Sequence, residues 1–205
     1  MASRAMPALA SASAVLAAGC AALLFPMGPI SVHMLFHIAF MNVLAPLAAC
    51  ALIVCVRLPP GRVGLMWAAA IAQILLLWLW HAPPAHNSAA ESTWISIAMH
   101  GSLFAAALAF WLSLISLPAR NSWQAIFALL VTGKVACLLG VLLVFAPRAL
   151  YEAGHVHGAY ASLDDQQLAG LYMITACPLS FVLAAIIMAA QTIGHLSRQV
   201  PAFAK

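Results

Sequence analysis

Long apolar runs alternate with short polar breaks along this chain of 205 residues. A helix needs about 20 apolar residues to cross the roughly 30 Å hydrocarbon core of a bilayer, and the runs are of that order. Backbone amide groups cannot remain unpaired in lipid, so such runs must be helical. The pattern therefore predicts an all-α membrane protein. Six transmembrane helices are expected, at residues 8–25, 31–56, 63–81, 93–117, 123–146 and 167–193.

The breaks between the runs are rich in proline, glycine and asparagine, which favour turns. They read "FPMGP", "RLPPGR", "HAPPAHNS", "LPARNS" and "APRALYEAG" in chain order. No internal repeat or low-complexity tract divides the chain, so residues 1–205 are expected to form a single transmembrane domain, a polytopic helix bundle. The first run has a second interpretation, because Arg4 and the "LAAGC" stretch also resemble a signal peptide. Its cleavage would leave five helices.

Composition supports a membrane protein. Apolar residues make up 66% of the chain and charged residues only 6%, whereas a soluble domain carries about 25% charge. Basic residues in short loops accumulate on the cytoplasmic side, which predicts cytoplasmic N- and C-termini. The basic residues then on the cytoplasmic side are Arg4, Arg57, Arg62, Arg120, Arg198 and Lys205, with Arg148 outside. The net charge of +4 is thus a topology signal and does not indicate a nucleic-acid partner.

The cysteines and the known enzyme motifs narrow the function. Five cysteines, an odd number without Cys-x-x-Cys spacing, do not indicate a disulfide framework. Neither a phosphate-binding loop nor a nucleophile–base arrangement occurs, so we do not expect an enzyme. Lys134, near the middle of the fifth predicted helix, is the exception to the uncharged character of the spans.

Histidine is concentrated on one side of the membrane in this topology. Seven of the eight histidines belong to the outer ends of helices or to outer loops: His33, His37, His81, His86, His100, His155 and His157. Ionisable residues inside a membrane usually have a function. The simpler alternative is that each is a hydrogen-bonded packing residue.

The spacing of these residues suggests a metal site. His33 and His37 are one turn apart, and Met34, His37 and Met41 share one helix face. His37 and His100 reach similar depths at about 1.5 Å per residue. Imidazole and thioether ligands suit copper, especially Cu(I). Methionine at helical spacing is also common core filler, so packing stays open as the other interpretation.

Four motifs occur in order along the chain: "HMLFHIAFMNVLAPLAA", "LWLWHAPP", "LLGVLLVFAPRALY" and "LDDQQLAGLYM". Together they resemble the multi-spanning CtaG-type family, the caa(3)-type cytochrome c oxidase assembly factors. The resemblance implies a bacterial inner-membrane protein that helps a haem–copper oxidase to mature, with copper handling as the expected role. It also implies oxidase subunits as partners, beside membrane lipid. The motif residues that it carries over are His33, His37, His81, Asp165, Gln166 and Gln167.

The candidate metal ligands follow from both arguments. They are His33, His37, His81, His100, Met34, Met41 and Asp165. Two other functions stay open: a b-type cytochrome with His37 as an axial ligand, and an assembly scaffold that binds no metal. A transporter is disfavoured because few polar groups continue across the midplane.

Overall fold

The structure is a computed structural model, and it describes residues 27–56, 59–151 and 163–199. This part of the chain is helical and contains no strand. Five stretches within it are long and apolar enough to cross a membrane: Pro29–Cys55, Val63–Trp80, Thr93–Ile115, Ala119–Phe145 and Leu163–Gly194. The predicted all-α membrane bundle is confirmed. The first predicted span, 8–25, lies outside the described residues.

We number the α-helices of the described part in chain order. They are α1 (Pro29–Ala39), α2 (Ala45–Cys55), α3 (Val63–Trp80), α4 (Pro83–Glu91), α5 (Thr93–Ile115), α6 (Ser122–Phe145), α7 (Leu163–Thr175) and α8 (Cys177–Gln199). A π-helical turn, Phe40–Leu44, joins α1 to α2, and a 3-10 turn, Ala119–Asn121, precedes α6.

The π-helical turn lies directly before Pro46, which has no N–H and cannot continue a regular helix. The N–H of Ala45 bonds to the carbonyl of Phe40, five residues back. The carbonyl of Met41 is thereby released, and the indole Nε1–H of Trp111 donates to it at 3.2 Å. Single π turns of this kind are frequent at functional sites.

A second proline interrupts the last span. Pro178 has no N–H to donate to a helical hydrogen bond, and the helix is interrupted at Ala176, between α7 and α8. At its other end, α7 begins at Leu163, before residue 167, where the predicted span started. Asp164 and Asp165 are therefore in the first turn of α7, where the helix dipole favours acids.

The segment "HAPPAHNS" is not a simple turn as predicted, because it enters helix α4 at Pro83. Proline is tolerated in the first helical turn, where its missing N–H would be unpaired in any case. The helix turns His86 inward, so that only 9% of its surface is exposed.

Helix α6 lies at the centre of the packing, since it contacts α7, α8 and α3. Helix α5 packs along α3 and α2, and α1 packs against α7. Two glycines allow α6 and α7 to approach closely: a Cβ atom on Gly140 would lie 2.8 Å from the carbonyl oxygen of Gly170. Small residues at such crossings are typical of membrane bundles.

The bundle is apolar outside and contains its polar groups inside. Large lipid-facing side chains such as Leu75 and Ile186 are 63% and 60% exposed. The buried polar residues are Ser31, His37, Asn42, Gln73, His81, His86, Thr132, Asp165 and Gln166. Without water around them, such groups must pair with each other or with a ligand.

Candidate metal centre

Histidines from three helices, and from the C-cap of a fourth, meet at the end of the bundle where α1 and α5 begin and α3 ends. We call this the histidine end. Its five imidazoles belong to His33, His37, His81, His86 and His100. The ring of His33 is central, since its centroid lies 4.3 Å from that of His37, 4.9 Å from that of His86 and 5.5 Å from that of His100. Sequence positions far apart thus supply one compact group of nitrogen ligands.

Three of these residues form the tightest set. One ring nitrogen each from His33, His37 and His100 lies within 4.8 Å of the others, and the Nε2 atoms of His33 and His37 are 2.8 Å apart. Imidazole–metal bonds of about 2.0 Å, as for zinc, place three ligand nitrogens about 3.5 Å apart in a trigonal site. Small side-chain rotations would therefore suffice to bring the three nitrogens to bonding distance from one ion.

Backbone carbonyls fix the tautomers of two histidines. The Nδ1–H of His81 donates to the carbonyl of Leu77 at 2.7 Å, and the Nδ1–H of His100 donates to the carbonyl of Ser96 at 2.7 Å. In the neutral ring this leaves the lone pair on Nε2. Histidines that bind metals usually anchor their other ring N–H in this way.

Met34 completes the arrangement around His81. Its thioether is fully buried, and its Sδ atom lies 3.2 Å from Nε2 of His81. Because Nδ1 of His81 carries the proton, two atoms with lone pairs face each other across this distance. A cation bound between them would favour this geometry.

Met41 is the deepest of the predicted ligands. Among the described residues, it has no hydrogen bond to a histidine ring. It lies in the π-helical turn and lines a cavity of about 20 Å³ on the midplane side of His37. Met34 and His37 line the same cavity. Met34 therefore lies both beside His81 and in the cavity wall, whereas Met41 belongs to the cavity wall.

Asp165 has a structural partner instead of a place among the three histidines. Its carboxylate accepts hydrogen bonds from the N–H groups of Ile30 at 2.9 Å and Ser31 at 3.2 Å. The hydroxyl of Ser31 donates in return to the backbone carbonyl of Asp165 at 3.1 Å. Asp165 thus caps the amino end of α1 from another helix, which positions the turn that carries His33.

Gln166, another residue of that motif, fixes the segment after α6. Its Oε1 atom accepts a hydrogen bond from the N–H of Leu150 at 2.6 Å. Its Nε2 donates to the carbonyls of Leu143 at 3.2 Å and Arg148 at 3.4 Å. The neighbouring Gln167 is only half-buried.

Tyr151 follows that segment and touches the site, which the sequence did not indicate. Its hydroxyl donates to the backbone carbonyl of His81 at 3.0 Å, and its ring centroid lies 4.2 Å from that of His86. Burial raises the pKa of Tyr151 to about 12, so the phenol keeps its proton and its role as a donor.

His86 is the other residue missing from the predicted ligand set. Neither of its buried ring nitrogens has a hydrogen-bond partner among the described residues. Burial lowers the pKa of His86, which favours the neutral, lone-pair-bearing ring. The "PPAHNS" stretch predicted the end of the bundle at which His86 lies, but its inward orientation depends on α4. His155 and His157, expected on the same side, lie outside the described residues.

The family model for the cytochrome c oxidase caa3 assembly factor (Caa3_CtaG) matches residues 8–194. The chain belongs to this family. The match covers most of the chain and includes all four of the motifs that meet around the histidine end. No curated protein and no solved structure matches the chain. Membership identifies an oxidase assembly factor and favours a non-catalytic role.

Proposed function

We propose that this assembly factor handles copper for a caa3-type oxidase at its histidine end, with copper as cargo. The three histidine nitrogens within 4.8 Å of one another carry the proposal. They come from α1 and α5, and a fourth imidazole with a thioether lies beside them. Imidazole and thioether favour copper, and Cu(I) above all, over hard cations.

The contacts of Asp165 strengthen the choice of a soft metal. Magnesium and calcium need several oxygen ligands. Asp165, the carboxylate in the predicted ligand set, accepts hydrogen bonds from two backbone N–H groups. The grouped ligands of the described residues are imidazoles only.

A groove of about 350 Å³ suggests how a client reaches the site. It is open to the bundle surface, and Phe40, Phe104 and His100 are among the residues that line it. An oxidase subunit in the same membrane would approach a copper ion through this groove without separating the helices. The proposed partner is therefore an oxidase subunit within the bilayer.

The location follows from charge. The connection near Gly61 and the one after Ser116 lie together, since the N–H of Gly61 donates to the carbonyl of Ser116 at 2.9 Å. Arg62 and Arg120 flank this opposite end of the bundle. By the positive-inside tendency it faces the cytoplasm, which puts the histidine end outside the bacterial inner membrane. The whole chain, 1–205, then acts as one transmembrane domain.

A b-type cytochrome is less compatible with the geometry. The rings of His37 and His100 are stacked at 4.9 Å with an angle of 10° between their planes. The cavity beside them measures about 20 Å³, which is room for about one water molecule. A haem does not fit between these helices without large rearrangement.

Metal content and visible absorbance of the purified protein test the proposal. We expect bound copper and no Soret band. A Soret band would support the cytochrome, and absence of any metal after incubation with Cu(I) would leave a scaffold. In cells, deletion should lower copper-replete oxidase activity while oxidase transcription stays normal. Unchanged activity in a strain without redundant oxidases would contradict the assembly role.

A further inference from the structure

The cavity on the midplane side of His37 is lined by sulfur. Four of its lining residues carry a thioether or a thiol: Met34, Met41, Met173 and Cys177. They come from α1, the π-helical turn, α7 and α8. We call this cavity the sulfur chamber. Its volume of about 20 Å³ admits one water molecule or one small ion.

Two polar side chains in the chamber wall have an unpaired oxygen. Asn42 and Gln73 are 6% and 3% exposed. The Oδ1 atom of Asn42 and the Oε1 atom of Gln73 have no hydrogen-bond partner among the described residues. Buried carbonyl oxygens are almost always satisfied in native proteins, so orphaned ones indicate an unseen ligand. Their negative dipoles favour a cation or a hydrogen-bond donor.

The π-helical turn positions two of the side chains in the chamber wall. Met41 and Asn42 belong to the π-helical turn, which shifts their side chains relative to a regular helix. The Nδ2–H of Asn42 donates to Sγ of Cys177 at 3.3 Å. Asn42 therefore joins the thiol to the chamber wall.

We propose that the sulfur chamber is a second Cu(I) site, deeper in the membrane than the histidines. This proposal rests on the copper-handling function above. Thioether and thiolate are soft ligands that select Cu(I). On binding, a bond forms between Cu(I) and Sγ of Cys177, and the thiol proton leaves to solvent. The metal stays Cu(I) throughout, and the loaded site carries no net charge, which suits a low-dielectric interior.

The two sites share residues, which provides a path between them. His37 belongs to the set of three histidines and also lines the chamber. Met34 lines the chamber and places its Sδ atom 3.2 Å from Nε2 of His81. An ion can therefore pass from nitrogen to sulfur ligands by exchange, without losing all of its donors.

Cu(I) titration of the full chain in detergent, under reducing conditions, tests the second site. We expect two Cu(I) ions per chain for the wild type and one for both Cys177→Ser and Met173→Leu. X-ray absorption at the copper edge should show sulfur scattering that decreases in Cys177→Ser. Cys137→Ser is the matched control, because Cys137 is a partly buried thiol on α6 that does not line the chamber.

The outcomes separate the two proposals. Binding of one Cu(I) with the same sulfur signal in the wild type and in Cys177→Ser would overturn the second site alone. Failure to bind any Cu(I) would overturn both. Met173→Leu keeps the volume of the side chain, so its loss of one ion with normal thermal stability would count for the chamber even if Cys177→Ser folded poorly. Equal stoichiometry in Met173→Leu and the wild type would count against it.

Discussion

Ser31 and Asp165 bind each other through both backbone and side chain. The N–H of Ser31 donates to the Asp165 carboxylate, and the Ser31 hydroxyl donates to the Asp165 carbonyl. The carboxylate also accepts the N–H of Ile30. Gly28 completes the contact, because a Cβ atom there would overlap with the carboxyl group of Asp165. The helix that carries His33 and His37 is therefore fixed at its first turn by α7.

Replacing Asp165 with alanine should destabilise the protein by about 1–2 kcal/mol, the usual effect of losing a helix cap. Two N–H groups at the start of α1 would lose their acceptor. Thermal unfolding in detergent measures the change. Asp164→Ala is the matched control, since Asp164 is exposed in the same helical turn, and it should unfold near the wild-type temperature. Equal stability of the two variants would contradict the capping role.

The Tyr151→Phe variant should bind copper several-fold more weakly, up to about tenfold, at unchanged stoichiometry. The change removes the hydroxyl that holds the carbonyl of His81 and leaves the ring beside His86. His81 would then be less well positioned. Competition with a Cu(I) chelator measures the affinity. Tyr172→Phe serves as the control, because the hydroxyl of Tyr172 donates to Sδ of Met27 at 3.9 Å and belongs to no contact of the histidine end among the described residues. Identical affinities would indicate that Tyr151 acts only in packing.

The sequence predicted the five spans of the described residues and the end at which histidine accumulates, because helical rise and hydrophobic length determine both. It could not predict which side chains close the site. The hydrogen bond from Tyr151 to His81 joins residues 70 positions apart and depends on packing among helices. His86 was missed because two prolines suggested a turn, although proline also starts helices well. Asp165 lies in the first turn of α7, where acids are common, but the helix that it caps is α1.

Reporter fusions test the orientation. Alkaline phosphatase, which is active only outside the cytoplasm, should be active when fused after Pro84 and inactive when fused after Arg120. A fluorescent protein that matures in the cytoplasm should give the reverse pattern. The physical reason is the concentration of arginine at the end opposite to the histidines. Phosphatase activity after Arg62 or Arg120 would overturn the topology and place the histidine end in the cytoplasm.

The histidine pair itself gives the strictest test of copper handling. His37 is 4% exposed, stacks on His100 and lines the sulfur chamber. Leucine in its place fills a similar volume but offers no electron pair. The His37→Leu variant should therefore accumulate normally in the membrane, bind copper at least about tenfold more weakly and fail to mature the oxidase. His33→Leu should be milder, because His33 is less buried and water near the surface can act as a substitute ligand.

Phe36→Leu, a change on the lipid-facing side of the same helix, provides the control for these two variants. Phe36 is 54% exposed, so the substitution alters neither the rings nor the chamber. Copper content of the purified protein and oxidase activity of the membranes should both match the wild type. A packing histidine tolerates an apolar residue of similar size, whereas a ligand does not. Full oxidase maturation by His37→Leu would therefore mean that the imidazoles are structural and that the family role is performed without a metal at this end.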